Sequence, residues 1–140
     1  MQYVCDAPGR KTWFRIETDH EAEAEARLMR HAVDKYFLRE LERARENYRA
    51  PSGAAVSERD IGLKAHIARS TPLFLTLRAD DGEGLATAML PPQGRNQANF
   101  RIIIVGPDNS DPYAHHADAI AALGAHYHLE LKREDCFPYK

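Results

Sequence analysis

Apolar side chains recur every three or four residues at Ala26, Met29, Val33, Phe37, Leu41, Ala44 and Tyr48, the spacing of a helix buried along one side. Thr18 and Glu21, just ahead of them, have the form of a reciprocal capping box, and neither Gly nor Pro interrupts the segment before Pro51. The pattern predicts one helix over 19–48. At 1.5 Å per residue, about 30 residues span about 45 Å, whereas a compact domain of 140 residues is about 37 Å across. A helix longer than its own domain either bends, or projects at one end, or has part of its stripe covered by another chain. The expected contact surface is Phe37, Leu41, Ala44 and Tyr48, at the C-terminal end.

Outside that segment the period changes. Residues 2–17 read as a hairpin turning at Ala7-Pro8-Gly9. A Pro-, Ser- and Gly-bearing loop over 49–57 leads to a shorter helix over 58–69, with Ile61, Ala65 and Ala68 on one stripe, stopped ahead of Pro72. Alternation of Leu73, Leu75 and Leu77 with Phe74, Thr76 and Arg78 predicts a strand over 73–78, and Asp81-Gly82 turns it into a second strand over 84–90. The run 100–105 is apolar on both faces, which suits the covered centre of a sheet. Asp111 caps a helix over 112–123, Gly124 fits the left-handed residue past its end, and Tyr127, Leu129 and Leu131 alternate along a closing strand over 126–132. The expected fold is a single α+β domain over 1–140, a mostly antiparallel sheet of about six strands packed with one long and two shorter helices.

Charge narrows the function. With 19 basic residues interspersed among 21 acidic ones, there is no broad positive field for nucleic acid. The opening residues lack the basic and apolar regions of a signal peptide. No apolar run approaches the ~20 residues of a membrane-spanning helix. A soluble, cytoplasmic protein with no membrane contact is expected, its Cys5 and Cys136 reduced.

Candidate chemistry concentrates in histidines near the C-terminus. His126, His128 and Glu130 share one face of the predicted strand, and His115 on the preceding helix supplies a further ligand if that helix packs over them, a set suited to a transition metal such as zinc. Asp111, His115 and Asp118 share a helix face by i+4 and i+3 spacing, but no nucleophile accompanies them. Nucleotide-binding glycine motifs and serine-hydrolase motifs are missing, so no organic cofactor is expected and no catalytic residue is assigned. Two functions remain: a non-catalytic interaction module whose helix 19–48 binds a second copy or another protein, and a metal-binding protein or metal-dependent enzyme using the C-terminal histidines.

Overall fold

The computed structural model describes residues 1–140, and its first element follows the local pattern. β1 (Gln2–Ala7) and β2 (Lys11–Arg15) pair antiparallel around a turn in which Gly9 has φ 81°, a conformation glycine adopts without steric cost. Trp13 is fully buried and its indole N–H donates to the Ala119 carbonyl at 2.8 Å.

The helix expected over 19–48 is two helices. α1 (Asp19–Met29) opens on the Thr18–Glu21 capping box and stops at Arg30, which is left-handed at φ 55°; α2 (Val33–Asn47) restarts the chain after Ala32. No glycine or proline marks the break. A non-glycine residue in this conformation costs roughly 1–2 kcal/mol, and tertiary contacts offset it. The Arg30 guanidinium donates twice to Asp108, at 2.6 and 2.5 Å, while His31 turns inward to Thr87.

α3 (Val56–Ser70) then folds back along α2. Tyr48 rests on His66, with ring centroids 5.4 Å apart, and a Cβ at Gly62 would lie 2.2 Å from the Tyr48 hydroxyl. The absent side chain is what admits α3. Ala44 is buried and Leu41 half-buried, so the far end of the stripe is covered by this chain's own helix and does not overhang.

β3 (Leu73–Ala79), β4 (Gly84–Leu90) and β5 (Ile103–Val105) complete a sheet of order β1-β2-β3-β4-β5, antiparallel throughout. Five strands and four helices replace the six and three expected. Of the segment 100–105 only Ile103–Val105 is a strand, and it lies at the sheet edge; the centre is β3. Apolarity on both faces reflects cover on both sides: Ile104 is fully buried in the main core, whereas Ile103 and Val105 line the opposite face.

α4 (Tyr113–Tyr127) covers the face of Leu75, Leu77, Ala86, Ala88 and Ile104. It starts one residue later than predicted, with Pro112 and not Asp111 as the N-cap, although the Asp111 carboxylate accepts from the Tyr113 N–H at 2.9 Å. Its end differs more: the helix passes through Gly124 to Tyr127, His128 is the left-handed cap, and no strand forms over 126–132. Gly124 serves close approach instead, because a Cβ there would stand 2.5 Å from the Leu129 carbonyl of the returning chain. That chain ends in the only parallel contact of the sheet, Ile103 with Phe137. No helix is long and apolar enough to cross a membrane.

Candidate functional site

The break between α1 and α2 belongs to a buried polar chain. Glu25 is fully buried within the apolar stripe of α1, where an unpaired carboxylate would cost several kcal/mol. Arg78 Nη2 donates to its Oε1 at 2.7 Å and the Thr87 hydroxyl donates to its Oε2 at 2.6 Å. With its one proton engaged, Thr87 Oγ1 accepts from His31 Nε2 at 2.8 Å. That assigns the Nε2–H tautomer and leaves Nδ1 to accept from the Val33 N–H at 3.4 Å. Burial pushes the His31 pKa below its ordinary value against the pull of the Glu25 charge, so the ring is neutral at neutral pH.

His31 and Thr87 surface in a partly enclosed cavity of about 320 Å³ between the start of α2 and the β4–β5 face. Its walls are Val33, Tyr36, Phe74 and Met89, with Ile103 and Val105 from β5 and Phe137 and Pro138 across the outer edge. Register sets the inner wall, since Thr87 faces Val105 and Met89 faces Ile103. Arg101 and Asn109 add polar groups at the rim, and no acidic side chain lines the space. A mostly apolar hollow of this size with a few convergent polar groups is the usual form of a small-molecule site.

The residues singled out by sequence lie elsewhere. His115 stands in the first turn of α4 and His126 in its last, about 16 Å apart along the axis. His128 caps the helix, and exposed Glu130 pairs with Lys132 at 3.5 Å. No strand aligns these side chains, and no group of three or more His, Cys, Asp or Glu is placed to hold a metal. The Asp111, His115 and Asp118 face is likewise dispersed, with Asp111 taken by Arg133 at 2.8 Å and Asp118 by the Ala119 N–H at 2.8 Å. Among the expected contact residues, Phe37 meets Phe74 edge-on, with centroids 5.3 Å apart. Leu41, Ala44 and Tyr48 are covered to differing degrees by α3 and the sheet.

Sequence reasoning missed Glu25, His31, Arg78 and Thr87. One signal was available: Glu25 lies between Ala22 and Met29 on the buried side of α1, and an acid inside an apolar stripe demands a partner. Nothing local assigns Arg78 and Thr87, 53 and 62 residues away, as those partners. Comparison with known proteins finds no matching family model, no matching curated protein and no matching solved structure.

Proposed function

We propose that the protein binds a small, largely apolar molecule in the cavity between α2, β4 and β5, with Thr87 meeting a polar group of the guest and His31 holding Thr87 in place. The observation that carries this reading is the buried Glu25–Thr87–His31 chain ending on the wall of an apolar hollow. Such a chain holds its members in one geometry, as a binding site requires. Thr87 Oγ1 donates once and accepts once, so one lone pair is left for a donor on the guest. Both nitrogens of His31 are engaged and the Glu25 charge is already met by Arg78, an arrangement that orients a guest and favours a non-catalytic role. Benzyl alcohol is a suitable first probe. In an NMR titration it is expected to shift the amide signals of Thr87, Met89, Ile103 and Val105, and Ile103→Trp, which fills the hollow from an edge strand, is expected to abolish those shifts. Shifts confined to other surfaces would reject the site.

A second reading, self-association, draws on α3. Its outer stripe leaves Val56 at 72% and Ile61 at 69% exposure, with Ala65 and Ala68 also exposed. Pairing two copies antiparallel about the midpoint between Lys64 and Ala65 sets Ile61 against Ala68 of the other copy and brings Glu58 toward Arg69, a complementary arrangement. Light scattering should then report twice the chain mass and Ile61→Asp should halve it; a wild type that stays monomeric at high concentration removes this reading.

A further inference from the structure

We propose that the guest of this cavity is a small organic anion, a carboxylate on an apolar body, held at the rim by Arg101; the inference rests on the cavity being a binding site. The chain carries more acid than base, 21 residues against 19, yet no acidic side chain lines the hollow and Arg101 does. Two acids close by are already paired, and Asp34, which acts on His31 from beside the cavity, does not line it. Glu25 lies behind Thr87 and is bound to Arg78 at 2.7 Å, and Asp108 is gripped by Arg30 at 2.6 and 2.5 Å. Arg101 has no carboxylate partner in the folded chain. Its guanidinium instead lies over the Phe137 ring, 5.0 Å from the centroid, and the Lys140 ammonium approaches the same ring at 5.9 Å.

The ring anchors the guanidinium without using its N–H groups, which make no hydrogen bond within the chain, and a guanidinium meets a carboxylate with two parallel hydrogen bonds. Asn109, also on the rim, offers an amide donor beside it. A cationic guest would meet Arg101 with no acid to compensate.

Three probes that share one apolar body and differ in charge test this: phenylpropanoate, phenylpropanol and phenylpropylamine, each titrated calorimetrically into the full chain. The acid is expected to bind at least about tenfold tighter than the alcohol and the amine, because a hydrogen bond to a charged partner exceeds a neutral one by that much. Arg101→Gln, at an exposed position, is expected to bring the acid down to the level of the alcohol. The inference is overturned if the acid binds no better than the amine, if Arg101→Gln leaves its advantage intact, or if none of the three binds at millimolar concentration. Ile103→Trp separates the two layers of the reading. Loss of all binding in that variant with Arg101→Gln silent keeps the cavity as the site and removes the anion, whereas binding of all three unchanged by Ile103→Trp removes both.

Discussion

Thr87 is the residue on which the buried chain turns, because its hydroxyl serves Glu25 as donor and His31 as acceptor. Thr87→Val keeps the shape and deletes both bonds. Leaving buried polar groups unsatisfied costs about 1–3 kcal/mol each, and a loss in that range or above is expected by urea denaturation. A change under about half a kcal/mol would mean that water replaces the hydroxyl. Arg78→Met is expected to cost more, about 3–5 kcal/mol, since it strands a fully buried carboxylate. His31 adds a pH dependence. Its folded pKa is lowered, chiefly by burial, so the unfolded chain takes up the proton more readily and stability falls as pH drops through about 6.5, the ordinary imidazole value, toward the folded one. Melting temperatures at about pH 7.5 and 5.5 should differ less in His31→Asn than in the wild type. Some dependence should remain, because burial and the Lys11 charge also lower His116. An identical pH response in wild type and variant would separate His31 from acid sensitivity.

Among the elements, α3 is the one least anchored. None of its fifteen residues is buried, whereas α4 buries Ala119, Ile120, Leu123 and Gly124. Local opening follows the amount of buried contact, so hydrogen exchange followed by mass spectrometry should show α3 amides exchanging well before those of α4 and β3. Equal protection of α3 and α4 would show that α3 opens only with the whole domain or is covered by something outside this chain. The position of α3 also redirects the effect of charge on α2. Leu41 lines a small hollow with Ile16, Phe37, Ile67 and Phe74, so Leu41→Asp is expected to destabilise the chain by about 2–4 kcal/mol. A folded, equally stable Leu41→Asp variant would return this stripe to the role of a contact surface between chains.

Over the whole molecule, the sheet divides two environments. One face is filled by α4 and the main core; the other carries α1 and α2, the polar chain and the cavity. What the sequence by itself determined was local: the hairpin, the Thr18–Glu21 cap, the alternation of β3 and β4, and the α+β class with a mostly antiparallel sheet. Each follows from contacts within a few residues, which pattern and turn chemistry report directly. Tertiary structure decided the rest. The stripe from Ala26 to Tyr48 has the same spacing whether one helix or two carries it, and Arg30 turns left-handed because Asp108 and Thr87 hold it and His31 from far along the chain. Gly124 reads as a helix end but is a point of close approach to Leu129, which removes the strand on which His126, His128 and Glu130 were to meet. The cavity was illegible for the same reason: Glu25, Thr87 and Arg101 carry no shared local signature, and only the strand register and the parallel return of Phe137 bring them to one place.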